Sequence, residues 1–331
     1  MKHIFIINPL AGKGKPLKLI PYIEKLFKTR PANEYFIRII QRPDHAISIV
    51  QEFAEYAKVN DCRIYSVGGD GTLNVVLNGI MKSGISKYVS LAAIPTGSGN
   101  DFIRSLTEIE KEAEKETEIE VGKANSATKY KDKNADKDKR SLEELLENVV
   151  YGTAKIIDAA KVNDDYYINI ASLGFDGEVA HTTNKLKKYP LFSGKFSYIA
   201  GVFLTLAKCT RHAFKINVDG QTLDSEVLLI AVANGRYYGG GMKAAPQASC
   251  LDGIFDICLI KRVGRLRIIY LLPKFMKGRH ASIKEVFFYK GRHVEIECAS
   301  ETPINIDGEV KLVRRADFEI LPNAIKFVMP R

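Results

Sequence analysis

Along the first hundred residues, short runs of large apolar and β-branched side chains give way to glycine-rich polar stretches and then to apolar positions spaced three and four apart. A run from His3 to Ile7 leads into the loop Asn8-Pro9-Leu10-Ala11-Gly12-Lys13-Gly14-Lys15, and an apolar helical pattern from Leu17 to Phe27 follows. A strand from Glu34 to Ile40 then precedes an expected helix from Asp44 to Lys58, with Asp44 as its N-cap. Ile64 to Val67 ends in Gly68-Gly69-Asp70-Gly71-Thr72, after which Leu73, Val76, Leu77 and Ile80 take up helical spacing. Val89 to Ile94 runs into Pro95-Thr96-Gly97-Ser98-Gly99-Asn100-Asp101-Phe102 and a helix through Leu106. Strand, polar loop and helix in repetition predict a parallel sheet, and the three glycine loops gather at the carboxyl ends of its strands, where ligands bind.

The loop after the third strand has the geometry of a phosphate cradle. Its glycines allow close backbone approach, and the N–H groups and dipole of the following helix favour negative charge. Asp70 is the exception in it, because a carboxylate beside phosphate calls for an intervening cation or a proton to handle. The first loop is not a Walker P-loop, since Lys15 is followed by Pro16 where that motif needs Ser or Thr.

Residues 107–140 break the pattern with a charged insertion dense in Glu, Lys and Asp. Pairs such as Glu108 with Lys111 and Glu112 with Lys115 suit a charged helix in its first half, and the composition of the second half reads as disorder; the whole is expected to be a solvated excursion. A helix from Ser141 to Val150 then opens a region of short β-rich runs joined by turns such as Asn163-Asp164-Asp165 and Asp219-Gly220. That texture predicts a mainly antiparallel sheet or sandwich, interrupted by helices around Phe196 to Lys208 and Leu266 to Lys277. In the later helix, Leu266, Ile269, Leu272, Phe275 and Met276 sit among Arg262, Arg265, Arg267, Lys274, Lys277, Arg279 and His280, a basic amphipathic stretch that faces either a membrane or the core.

At 331 residues the chain has room for two domains, expected at 1–140 and 141–331, with the C-terminal end returning to the first. Its net charge of +10 admits nucleic acid, an anionic membrane surface or a polyanionic substrate as partner. No aromatic and basic RNA signature supports nucleic acid. Five scattered cysteines without a CxxC pair, no signal-peptide layout and no apolar run near the ~20 residues of a spanning helix predict a reducing cytoplasmic setting with peripheral membrane contact at most.

The motifs together resemble one family. Asn8-Pro9 with Gly12 and Gly14, GGDGT from Gly68 with Asn74, and PTGSGNDF from Pro95 are followed by NIASLGFDGE from Asn169, GGGMKAAP from Gly239, LDGIFD from Leu251 and IDGE from Ile306. In this order the chain is similar to soluble bacterial lipid kinases of the diacylglycerol kinase catalytic-domain type, which are related to sphingosine and ceramide kinases. The resemblance implies a three-layer α/β nucleotide domain with a GGDGT loop, then a β-sandwich domain, with the active site between them. It implies ATP and Mg2+, with the ATP phosphates against Gly68, Gly69, Gly71 and Thr72, Thr96, Gly97 and Ser98 nearby, and Asn8, Gly12 and Asn100 contributing from neighbouring turns. Asp70 would act through magnesium. The IDGE motif points to Asp307 as the group taking the acceptor proton, with Glu309 beside it and Asp70 as the rival base. Relatives often carry two adjacent aspartates where this chain has Leu251-Asp252, so a structural magnesium would rest on Asp252 and Asp256 alone.

The expected activity is transfer of the γ-phosphate of ATP to a hydroxyl of a diacylglycerol-like lipid at the membrane surface. Two other readings stand beside it: an NAD-kinase-like small-molecule kinase, since GGDGT alone would fit one, and a membrane-binding protein on a retired kinase fold. The oligomeric state is left open, a homodimer included.

Overall fold

A computed structural model describes residues 1–28, 34–97, 99–121, 142–186, 201, 204–205, 212–223 and 226–331. Ser98 and most of the helix expected around Phe196 to Lys208 lie outside these residues, as does the second half of the charged insertion.

The first domain is built on a parallel sheet. Strand β1 (Lys2–Ile7) lies between β2 (Glu34–Ile39) and β3 (Cys62–Gly68), and β3 pairs with β4 (Val89–Pro95), all in parallel. Ile4, Phe5, Ile6 and Ile7 are all buried because both faces of the sheet are covered. One face packs against α2 (His45–Glu52), α4 (Asp70–Lys82) and the start of α5 (Asp101–Val121) through Ile49, Val50, Val76, Leu77 and Phe102. The other packs against α1 (Ile20–Lys28) and α6 (Leu142–Val150) through Ile23, Phe27, Leu146 and Val149. Helix α6, which the sequence places beyond the domain boundary, therefore belongs to the first core.

Three local expectations change. Residues 45–59 form two helices, α2 and α3 (Ala54–Val59), which meet at Phe53. Asp44 does not cap α2: it is left-handed at φ 62°, a conformation its short side chain tolerates, and its carboxylate makes no capping bond. The first loop runs through left-handed Gly12, Lys13 and Gly14 before the chain enters α1 at Ile20.

The second domain is mostly antiparallel. β5 (Thr153–Val162), β7 (Ile170–Gly174), β8 (His212–Val218), β10 (Glu226–Ala233), β13 (Phe255–Lys261), β14 (Val286–Gly291), β15 (His293–Ile306) and β16 (Glu309–Met329) enclose a core of Tyr167, Phe214, Phe255, Ile257, Ile296 and Phe318. The short strands β6 (Asp165–Tyr167), β9 (Gln221–Leu223), β11 (Tyr237–Tyr238) and β12 (Met242–Lys243) complete it. β16 is 21 residues long. It leaves the sandwich through a register shift between Leu321 and Ile325 and then pairs in parallel with β4, Lys326 opposite Ser90 and Phe327 opposite Leu91. One sheet thus continues through both domains.

The first half of the charged insertion is also not a solvated excursion. It extends α5, from which Glu108 and Glu112 reach Arg236 of the second domain at 3.5 and 2.6 Å, and Glu108 also pairs with Lys243. Helices α7 (Phe175–Leu186) and α8 (Arg265–Met276) lie on the second domain. α8 buries Ile268, Leu271 and Phe275, so that of the apolar positions Leu266, Ile269, Leu272, Phe275 and Met276 only Phe275 is buried, and Arg267 pairs with Glu285 at 3.2 Å.

Candidate active site

Backbone packing between the glycine loops builds the cradle. Thr96 and Gly97 donate their N–H groups to the carbonyl of Gly68 at 2.9 and 3.1 Å, so the loops after β3 and β4 are locked together. A Cβ on Gly97 would fall 2.5 Å from the Gly69 Cα, and one on Gly12 only 2.0 Å from the Thr96 carbonyl oxygen. Glycine is required there because backbone faces backbone. Asn8 ties in the first loop, donating to the Thr72 hydroxyl at 2.9 Å, while Asn100 donates to the Gly97 carbonyl at 3.2 Å. Gly68, Gly69, Gly71, Thr72, Thr96, Gly97, Asn8, Gly12 and Asn100 thus meet in one place, at the N-terminus of the 13-residue α4.

Two carboxylates flank this cradle. Asp70, the first residue of α4, accepts the Phe102 N–H at 3.3 Å. Asp101, at the start of α5, is buried and accepts from the Gly240 N–H at 2.7 Å and from Arg104 at 3.1 Å. Both carboxylates point at Gly99, where a Cβ would be 2.7 Å from Asp70 Oδ2 and 3.5 Å from Asp101 Oδ2. Burial, and then the charge of Asp70, push the Asp101 carboxyl up to about 6.

The third carboxylate arrives from the far end of the chain. Asp307, left-handed at φ 48°, sits in the turn between β15 and β16. Its Oδ1 accepts the N–H groups of Asn169 and Ile170 at 3.2 and 2.9 Å, and its Oδ2 accepts that of Ile168 at 2.9 Å. Between β6 and β7 the N–H groups of Ile168 and Asn169 thus serve the carboxylate in place of a ladder. The remaining acceptor position on Oδ2 faces Asn74 of α4 at a loose 3.4 Å. Burial pushes Asp307 up to about 6 against the opposing pull of its donors, and the charge of Asp70 adds to the rise. Glu309 reaches across to the cradle, its Oε1 3.5 Å from where a Gly71 Cβ would be.

Asp252 and Asp256 share a basic partner. Lys290 reaches both, at 3.5 and 2.9 Å, so an ammonium already lies between the two carboxylates. Asp70 and Asp101, which both face Gly99, offer carboxylate oxygens of the kind a hard cation such as Mg2+ takes.

Several participants escaped the sequence. Asn74 was visible as part of the GGDGT motif, but its contact with Asp307 spans 233 positions. Ser105 accepts the N–H groups of Arg236 and Tyr237 at 3.0 and 3.1 Å and donates to Asn169 at 3.2 Å, with no local signal to mark it. Asp176, at the start of α7, is buried, accepts from Ser172 at 2.6 Å and from Asn305 at 3.2 Å, and is pushed up by desolvation. Asn305 in turn accepts the Gly308 N–H at 3.0 Å, which links Asp176 to the Asp307 turn.

A glycine cradle at the mouth of a parallel sheet is met by an acidic turn from a β-sandwich, an arrangement suited to holding a phosphorylated ligand between two domains. Residues 2–131 match the diacylglycerol kinase catalytic domain, and residues 169–329 match the YegS C-terminal domain, described as NAD kinase beta sandwich-like. The chain belongs to the lipid kinase family that carries this pair of domains. It is 29% identical to "Probable lipid kinase YegS-like" of Shewanella frigidimarina, over 81% of this chain and 76% of that protein. It is 27% identical to the diacylglycerol kinase of Staphylococcus carnosus, over 98% and 94%. A diacylglycerol kinase crystal structure from Bacillus anthracis shares the fold with a TM-score of 0.66 at 22% identity, over 99% of this chain and 96% of that one.

Proposed function

We propose that this protein transfers the γ-phosphate of ATP to a hydroxyl of a diacylglycerol-like lipid. The observation that carries the choice of a lipid acceptor is the match of residues 2–131 to the diacylglycerol kinase catalytic domain, and an apolar cavity beneath α7 and α8, lined by residues such as Phe175, Val179, Leu228, Leu271 and Phe275, is in keeping with it. Asp176 lies on its wall, and the hydrogen bonds through Asn305 join that wall to the Asp307 turn. A nicotinamide dinucleotide, polar along most of its length, has no use for such a cavity.

In this reading the cradle from Gly68 to Thr72 and the Thr96–Gly97 backbone hold the ATP phosphates by N–H and hydroxyl donors. Asp70, with Asp101 beside it, would hold Mg2+, which when bound neutralises phosphate charge. The acceptor hydroxyl takes the position on Asp307 Oδ2 that Asn74 only loosely fills. Its proton passes to Asp307 as its oxygen bonds to the γ-phosphorus, and the bond to the departing ADP oxygen breaks. Glu309 keeps the turn's second charge near the cradle.

Purified protein with radiolabelled ATP and Mg2+ should label diacylglycerol or a close relative in a panel that includes monoacylglycerol, phosphatidylglycerol, sphingosine and ceramide, with NAD as control. Label entering NAD alone would overturn the lipid reading, and no transfer to any acceptor would favour a retired fold.

A further inference from the structure

Helix α8 is apolar on two opposite sides. Ile268, Leu271 and Phe275 point inward and are buried. On the other side Leu266, Ile269, Tyr270 and Met276 are 84%, 48%, 58% and 44% exposed, and Pro273 is exposed between them. At 3.6 residues per turn these five fall within an arc of about 120°, facing away from the buried stripe, with no charged residue among them. An ordinary surface helix places charged and polar side chains there.

The charges flank this stripe, and they carry one sign. From Lys261 to Lys284 the chain has eight lysines and arginines and neither Asp nor Glu. Arg262, Arg265, Lys274, Lys277 and Arg279 are exposed. Arg267 and Lys274 lie over the Tyr270 ring at 5.4 and 4.9 Å, which holds that ring among cations on the outer face. An exposed apolar stripe bordered by cations matches the boundary between headgroups and acyl chains of an anionic bilayer.

We propose that the outer face of α8 is a docking element that lies in the surface of an anionic lipid bilayer, with Leu266, Ile269, Tyr270 and Met276 entering the acyl boundary and the flanking cations on the headgroups. This rests on the lipid kinase reading for its purpose, but its binding readout needs no turnover.

The chain contains no tryptophan, so one can be introduced as the sole reporter. Tyr270→Trp places it on the stripe, and Val59→Trp, at an 82% exposed site on α3 in the first domain, serves as control. With phosphatidylcholine vesicles containing phosphatidylglycerol, Tyr270→Trp should show blue-shifted emission quenched by shallow brominated acyl chains, while pure phosphatidylcholine and the Val59→Trp control should show neither effect. Leu266→Asp with Ile269→Asp should lower vesicle binding at least tenfold. Lys274→Glu or Arg265→Glu should weaken it by about fivefold or more each. All four positions are exposed, so folding is checked simply by an unchanged circular dichroism melt. Vesicle binding that leaves the Tyr270→Trp reporter unquenched would overturn the proposal. So would a blue shift without vesicles that follows protein concentration and a dimer in sedimentation, because the stripe would then cover a second copy. Absence of vesicle binding with full turnover of micellar lipid would remove the docking element and keep the kinase, whereas binding without lipid turnover would do the reverse.

Discussion

Asp307 is held by three main-chain N–H groups, so its carboxylate is oriented before any substrate arrives. A carboxyl near 6 is half ionised close to neutrality and can both take and release a proton there. The sign follows directly: as pH falls through about 6, Asp307 becomes protonated and loses its acceptor, so kcat/KM should decline on the acid side. Asp307→Asn should reduce turnover by about 10²–10⁴-fold with little change in ATP affinity, measured as kcat against KM for ATP. An acid limb that persists unchanged in that variant would overturn the assignment of Asp307 as the base and point to Asp101, the other carboxyl pushed up to about 6. The glycines of the cradle were legible because tight loop approaches demand Gly, and that demand is written locally. Asp101, Ser105 and Asp176 were not, since each gains its meaning from partners such as Gly240, Tyr237 and Asn305 that are over a hundred positions away.

At the scale of elements, α5 acts as a bracket. Asp101, Ser105, Glu108 and Glu112 lie on it at helical spacing, and each contacts the 236–243 segment. Arg236 is only 5% exposed, so removing its partners strands a buried cation. Glu108→Gln with Glu112→Gln should therefore destabilise the protein by about 2 kcal/mol, discounted for the half-exposed Glu112, as read from urea melts. The sequence showed the charges but not their destination, because i,i+3 pairing within a helix is the only partner that local spacing can suggest. The same limit applies to β16, where the alternation of charged and apolar residues from Glu309 to Asp317 hides a strand whose one side faces solvent.

At the scale of the molecule, the strand, loop and helix repeat specified a parallel sheet with its ligand site at the carboxyl ends, and the structure has that architecture. What the repeat did not contain was its last strand. Ile325, Phe327 and Met329 fill one core of the first domain and Val328 the other. Residues 1–151 expressed alone should consequently expose the β4 edge and aggregate, seen as loss of a monomer peak in size exclusion, while addition of a peptide spanning 322–331 should recover soluble material.

The continuity of β16 has a mechanical consequence. A pair of domains joined by a loop can swing like a hinge, but here the connection is a hydrogen-bonded strand that begins at Glu309 beside the nucleotide cradle and ends inside the nucleotide domain's core. Opening the cleft by rotation would have to shear the β16 ladder or twist the whole sheet, and both are stiff modes. Access for a long-chain acceptor then falls to the helices laid on the sandwich, so the rate of lipid exchange should respond to changes in α7 and α8 far more than to changes at the domain boundary.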